Sequence, residues 1–251
     1  LIGPNGAGKT TVFNMLTGVY KPDDGLIRLD GEDLIGKSTI EINKAGVART
    51  FQNIRLFHAQ SVLDNVKIGL ANHYKYSTLT GILRLPKYRK MEKAMNERAM
   101  ELLKVFEMED KAEYLASNLP YGDQRKLEIA RALATEPKLL LLDEPAAGLD
   151  PEGQRQLEQQ LDRLRTRGIA VLLSTHDVDF VWRWADRAAV LAGGRLTAAG
   201  TPEEIFDRCG QIPGWNFSAP MIYWIGKQLG LSPLPRSREE LEQRWKRNAP
   251  C

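Results

Sequence analysis

Gly3-Pro4-Asn5-Gly6-Ala7-Gly8-Lys9-Thr10 stands at the head of the chain and meets the pattern G-x-x-x-x-G-K-[ST] at every required position. The spacing has a physical cause. Glycines let consecutive backbone N–H groups turn inward and form an anion-binding concavity. A helix begins at once, in Lys9-Thr10-Thr11-Val12-Phe13-Asn14-Met15-Leu16, so its positive end faces the same anion. Lys9 is placed to reach the outer phosphates of a nucleotide and Thr10 to offer a hydroxyl to Mg²⁺. A phosphate loop of this kind follows a strand, and here only Leu1 and Ile2 precede it. The strand that carries the loop is therefore expected to be incomplete, and the chain to be truncated at its N-terminal end.

Composition narrows the setting. The 251 residues, 43% hydrophobic, suffice for one large or two small packed domains. The net charge of +3 comes from well-mixed signs, so no long-range field points to a nucleic acid partner. Cys209 and Cys251 lie far apart without a partnering pattern. That fits a reducing compartment and indicates neither disulfide nor metal. No apolar run reaches the length of a bilayer span. The nearest approach, residues 215–231, is interrupted by Asn216, Lys227 and Gln228 and reads as a buried or surface-lying segment. The start on Leu1 offers no secretory signal.

Outward from the loop, Gly18 is a natural helix stop. Leu26-Ile27-Arg28-Leu29 reads as a strand closed by Asp30-Gly31, and residues 47–51 as another. Ser61-Val62-Leu63-Asp64 resembles a capping box. Residues 73–86 read as loop. Residues 87–106 place Met91, Ala94, Met95, Leu102, Leu103 and Phe106 on one helix face, a stripe that reads as packing surface more readily than as a cofactor site. A helix is expected over 123–134, then Leu139-Leu140-Leu141-Leu142, a run suited to a strand buried on both faces. A charged amphipathic helix over 152–166 ends at Gly168. A second buried strand covers 169–174, and residues 188–199 form a hairpin across Gly193-Gly194. Thr201-Pro202-Glu203-Glu204 opens a further helix. Strands alternating with helices imply an α/β fold with a mainly parallel sheet.

The leucine strand ends in Asp143-Glu144. In such sheets ligands sit at the carboxyl ends of strands, where the phosphate loop also lies. Asp143 can hold Mg²⁺, directly or through water, and Glu144 can take a proton from an attacking water. The same acidic pair could instead cap the next helix. His58 and His73 read as structural. His176 differs because its strand end is expected to adjoin that of Leu142.

The phosphate loop, Gln52 in Thr50-Phe51-Gln52-Asn53, the sequence Leu119-Pro120-Tyr121-Gly122-Asp123-Gln124, Asp143-Glu144 and His176 follow one another in the order found in ATP-binding-cassette ATPases, which the chain resembles over nearly its whole length. The helix-opening signature at 119–124 is the most diagnostic part, and its Tyr-Gly-Asp-Gln form is similar to that of branched-chain amino-acid importers. Pro120 departs from the serine or alanine of the family and removes a hydroxyl donor to the γ-phosphate. The upstream aromatic that the family stacks on adenine is absent, and Tyr20 lies after the first helix.

The resemblance implies a P-loop NTPase fold, mainly parallel sheet flanked by helices, with an inserted helical subdomain. It implies an ATPase domain over 1–208, with the helical subdomain at about 58–134, and a C-terminal extension over 209–251. ATP would be bound by Gly3, Pro4, Asn5, Gly6, Ala7, Gly8, Lys9, Thr10 and Thr11, and from a second ATPase subunit by Tyr121, Gly122, Asp123, Gln124 and Asp150. The two subunits would form a head-to-tail dimer sandwiching two ATP molecules. Mg²⁺ would be held by Thr10, Gln52 and Asp143. Glu144, His176, Lys9 and Gln52 would carry catalysis, by positioning and charge stabilisation. Membrane subunits would dock on the glutamine loop and helical subdomain, about residues 50–118, placing the protein on the cytoplasmic face of the membrane, with branched-chain amino acids as cargo.

The two parts of the chain differ. Residues 1–150 hold 13 Lys and 8 Arg, and the remainder 2 Lys and 12 Arg, with all five tryptophans. Residues 151–251, through Ser174-Thr175-His176-Asp177-Val178-Asp179 and Trp184-Ala185-Asp186-Arg187, resemble cobalt or nickel energy-coupling ATPases instead. A junction near 149–151 accounts for both shifts; ordinary divergence within one subfamily is the alternative. Three rival functions stay open: a cobalt or nickel transporter ATPase, a non-transport cassette ATPase, and a nucleotide-binding protein without turnover.

Overall fold

The computed structural model describes residues 1–74 and 86–248, so the loop expected over 73–86 lies almost wholly outside them. Packing divides the chain into two compact units, one of residues 11–173 and the other of residues 1–10 with 174–251.

The unit of residues 11–173 receives the body of helix α1 (Lys9–Leu16), whose Phe13 is fully buried. Gly18, at φ +70°, ends the turn that follows, as its lack of a Cβ allows. Strands β1 (Arg28–Leu29) and β2 (Glu32–Asp33) pair antiparallel across Asp30 and Gly31, both at positive φ. That is the two-residue turn favoured in hairpins. Helix α2 (Thr39–Ala45) starts on a complete capping box of Ser38 and Glu41 and leads into β3 (Val47–Arg49).

Strand β4 (Leu139–Asp143) is central in a three-stranded sheet of order β3, β4 and β5 (Ala170–Ser174). Val47, Ala48 and Arg49 lie opposite Leu139, Leu140 and Leu141 in parallel register. Leu140, Leu141 and Leu142 are fully buried, each stabilising the fold by roughly 1.5–3 kcal/mol over an exposed position. That burial on both faces is what the uninterrupted apolar run requires. The register also brings Arg49 to the end of β4 where Asp143 emerges.

A helical layer is built from α3 (Val62–Leu70), α4 (Pro86–Val105) and α5 (Tyr121–Leu133). The methionine-bearing face of α4 packs as core: Met95, Ala99, Leu102, Leu103 and Phe106 beyond its end are all buried. Gly69 allows α3 to approach α5, because a Cβ there would lie 2.4 Å from the Arg131 carbonyl oxygen. Buried Asn65 exchanges hydrogen bonds with the Phe57 backbone and donates to the Ser61 carbonyl, fixing the turn into α3. Helix α6 (Pro151–Thr166) begins on Asp150, whose carboxylate accepts from the Gly153 N–H at 2.8 Å.

In the other unit, Ile2 is 1% exposed and bridges in parallel to both Thr175 and Val190. The Ile2 N–H donates to Ala189 and its carbonyl accepts from Leu191, while Leu1 accepts from Thr175. Two residues thus carry the pairing on both sides of the strand that leads into the phosphate loop. Strands β6 (Ala188–Ala192) and β7 (Arg195–Gly200) form the expected hairpin, turning at Gly193 and Gly194, both at positive φ. Helix α7 (Val178–Trp184) is capped by Asp177, and α8 (Pro202–Asp207) by the expected box of Thr201 and Glu204.

Helices α9 (Met221–Gln228) and α10 (Arg238–Asn248) close the chain. Trp182, 2% exposed, meets Tyr223 at 5.0 Å and Phe206 at 6.1 Å between ring centroids, both edge-on. Its indole N–H donates to the Pro235 carbonyl at 2.9 Å, and Arg236 stacks over its ring. The C-terminal segment is thereby anchored on one aromatic cluster. Within it Tyr223 is buried while Met221 and Trp224 are exposed, the half-buried, surface-lying arrangement that its interrupted apolar run implied. Among the described residues no helix is long and apolar enough to cross a membrane.

Candidate nucleotide-binding and hydrolysis site

The phosphate loop owes its shape to its glycines. A Cβ on Gly3 would lie 2.3 Å from the Leu191 carbonyl oxygen, so only glycine fits against β6. Gly6 and Gly8 adopt φ +79° and +100°, the left-handed region that residues with a Cβ avoid. A Cβ on Gly6 would meet nothing within 4 Å, so the cradle is open there. The Ala7 carbonyl accepts from Gly194 N–H at 3.2 Å, which pins the loop to the β6–β7 turn.

Lys9 is buried, and its ammonium donates to the carbonyls of Gly3 at 2.6 Å and Pro4 at 3.4 Å. Asn5, Gly6, Thr10 and Thr11 are exposed at the open side. No acidic residue occupies the first turn of α1, so the helix itself carries no charge that opposes an anion at its N-terminus. An open glycine cradle, a buried ammonium and a helix start fit a polyphosphate. In this same unit His176 is exposed, directly after Thr175, which pairs with Ile2.

The acidic pair belongs to the unit of residues 11–173. Asp143 and Glu144 are 2% and 7% exposed. Arg49 Nη2 lies 3.2 Å from Asp143 Oδ2, with both side chains buried. Arg49 Nη1 donates to Asn14 Oδ1 at 2.6 Å, and the guanidinium sits near the rings of Phe13 and Phe51. Glu144 adopts φ +47°; a non-glycine residue held so costs about 1–3 kcal/mol, a strain that persists where surrounding structure fixes it and that clusters at active sites. Asp143 carries a carboxylate of the kind that suits Mg²⁺. The Ala147 N–H donates to the Glu144 carbonyl, so the pair ends in a turn and does not cap α6, a task that falls to Asp150.

The signature segment opens α5 at Pro120 without a side-chain cap. Tyr121 donates its hydroxyl to the Ala147 carbonyl at 3.3 Å, and Gln124 Nε2 donates to the Leu119 carbonyl at 2.8 Å. Gly122 faces Leu149. Asp123 pairs with Lys111 at 2.7 Å and Lys126 at 3.6 Å, and that bond holds the Lys111 ammonium above its usual pKa. Asp123 and Asp150 therefore each have a local structural partner that the sequence did not disclose.

Gln52 is exposed on a loop gripped by α5. Beside it lies a groove of about 380 Å³ whose walls include Arg49, Phe51, Arg55, Phe57, Arg131 and Thr135. Arg55 stacks over Phe51 and Arg131 over Phe57, so the groove is lined by three arginines, two aromatic rings and one carboxylate, that of Glu128. The residues missed by the sequence reading are Arg49, Arg125 and Glu128. The last two stand three apart on one helix, a spacing that reads equally as a solvated ion pair.

A family model described as ABC transporter matches residues 1–147. The chain is 44% identical over 208 residues to the high-affinity branched-chain amino acid transport ATP-binding protein BraF of Pseudomonas aeruginosa, covering 82% of each. Among solved structures it is similar to the ADP conformation of MJ1267, an ATP-binding cassette of an ABC transporter. There the TM-score is 0.72 at 31% identity, over 85% of this chain and 84% of that one. A dimeric post-hydrolysis state of the ATP-binding cassette MJ0796, bound to ADP and Pi, gives a TM-score of 0.67 at 27% identity, over 80% and 83%.

Proposed function

The chain belongs to the ABC transporter family, as one of its ATP-hydrolysing cassettes, and on that premise we propose that it energises the uptake of branched-chain amino acids. The observation that carries the cargo is the 44% identity with BraF over 82% of both chains. The exposed Gln52 and the basic, aromatic groove beside it support docking of membrane subunits there, on the inner face of the membrane.

In this reading Lys9 neutralises the outer phosphates of ATP, and the loop N–H groups orient them. Glu144 accepts the proton of the water that attacks the γ-phosphorus, and ADP leaves with the bridging oxygen. His176 holds that phosphate and the water in line. Thr10, Gln52 and Asp143 would hold Mg²⁺, which when bound offsets charge on the phosphate oxygens. Tyr121, Gly122, Asp123, Gln124 and Asp150 would meet ATP across a head-to-tail dimer.

The test is uptake into vesicles that hold this chain with its own membrane subunits. ATP-dependent accumulation of labelled leucine, isoleucine or valine is expected. Accumulation of another solute class with none of these three would overturn the cargo.

A further inference from the structure

The loop that bears Gln52 is held by one ion pair on the signature helix. Arg125 and Glu128 are 1% and 2% exposed and bond to each other at 2.8 Å. The pair is not closed on itself. Arg125 Nη1 also donates to the Phe51 carbonyl at 2.8 Å, and Nη2 to the Gln52 carbonyl at 2.9 Å. Glu128 Oε1 accepts from the N–H groups of Phe51 at 3.4 Å and Arg55 at 3.3 Å. Four backbone groups, two of Phe51 and one each of Gln52 and Arg55, thus end on two side chains one turn apart on α5. Further along that helix Arg131 donates to the Arg55 carbonyl.

Stability does not explain such a pair. Burial dominates at Glu128 and pushes its carboxyl above the usual range even with Arg125 beside it. Apolar side chains of like volume are often as stabilising as a buried pair, or more so. What the pair adds is geometry: a fixed placement of the loop relative to the helix. Tyr121, Gly122 and Gln124 of the signature lie in the first turn of that same helix, and Arg125 Nη2 lies 3.4 Å from the Tyr121 hydroxyl.

We propose that Arg125 and Glu128 are positioning residues that lock the Gln52 loop to the signature helix, so that a shift of α5 is imposed on Gln52 and on the groove beside it. The proposal rests on the reading of Gln52 as a residue facing cation and membrane partner. It gives the hydrolysis site a mechanical link from the segment that meets the second ATPase subunit to the segment that meets the membrane subunits.

The test uses the full chain with both charges removed at similar volume, Arg125→Met with Glu128→Leu, and follows amide hydrogen exchange. The Phe51 and Arg55 amides should exchange about tenfold faster or more, with the interior amides of α5 unchanged. ATP turnover should fall several-fold at unchanged KM. Unchanged exchange at Phe51 and Arg55, or equal loosening throughout α5, would overturn the proposal. Should the double variant fail to fold, Glu128→Gln carries the test, because its amide NH₂ cannot accept from the Arg125 guanidinium and the pair is broken. Faster exchange at the two amides supports the grip, and wild-type protection there refutes it. Gln52→Ala separates the underlying reading: wild-type Mg²⁺ dependence there, beside fast exchange in the double variant, would remove the role of Gln52 and leave the grip standing.

Discussion

Arg49 and Asp143, far apart in sequence, form a buried ion pair at 3.2 Å where β3 and β4 end side by side. The residue assigned to the cation already has a counter-charge, itself held by Asn14 and flanked by Phe13 and Phe51. Removing one member of a buried pair is strongly destabilising. Arg49→Met should therefore lower the unfolding free energy by about 3 kcal/mol, read from urea denaturation without nucleotide. A loss indistinguishable from zero would show that Asp143 is balanced by other means.

The two ends of the phosphate loop should respond differently to a methyl group. Gly3→Ala forces a Cβ to within 2.3 Å of the Leu191 carbonyl oxygen, an overpacking that costs roughly 1–3 kcal/mol or more. Gly6→Ala meets no atom but is held at φ +79°, which costs roughly 1–2 kcal/mol and narrows the open cradle. Thermal unfolding should single out Gly3→Ala, and nucleotide titration should show weakened binding in Gly6→Ala even where the fold is kept. The reverse order would contradict the loop geometry.

The C-terminal anchor has a pH signature. Asp207 accepts from the Tyr223 hydroxyl and pairs with Lys227, and these bonds hold its carboxyl below the ordinary value of 3.8. A lowered carboxyl contributes stability that is full above the ordinary value and is lost as pH falls through the folded one. Asp207→Asn should be less stable than wild type at neutral pH, and the two should converge in strong acid. Tyr223, raised by burial first and then by its bond to Asp207, should ionise only above the ordinary tyrosine value of 10.0, and Tyr223→Phe should remove that late step from the tyrosinate absorbance. Its contribution is full below the ordinary tyrosine value and fades only above it.

What was legible in the sequence is what backbone chemistry dictates. Residues 3–10 fix their own shape through glycine, and Leu139-Leu140-Leu141-Leu142 suited a strand buried on both faces, which β4 is over Leu140–Leu142. Thr201 with Glu204 and Ser61 with Asp64 announced their helices. Charged residues whose partners are remote were not legible. Arg125 and Glu128 were not singled out, yet they form a buried pair under the Gln52 loop, and Asp123 gave no sign of Lys111. Trp182 was visible only as part of a shift in composition, whereas its place is the centre of an aromatic cluster. Such assignments depend on which segments the topology brings together, which local periodicity does not encode.

Glu144→Gln isolates the proton-accepting role of the carboxylate. It keeps the size and the acceptor oxygen at the end of β4 and removes only the group that takes the proton. The purified variant with Mg²⁺ and ATP should bind nucleotide, release phosphate at least about a hundredfold more slowly, and accumulate as a dimer. Phosphate release at the wild-type rate, or a variant that binds ATP and stays monomeric, would contradict the shared hydrolytic site proposed for this cassette.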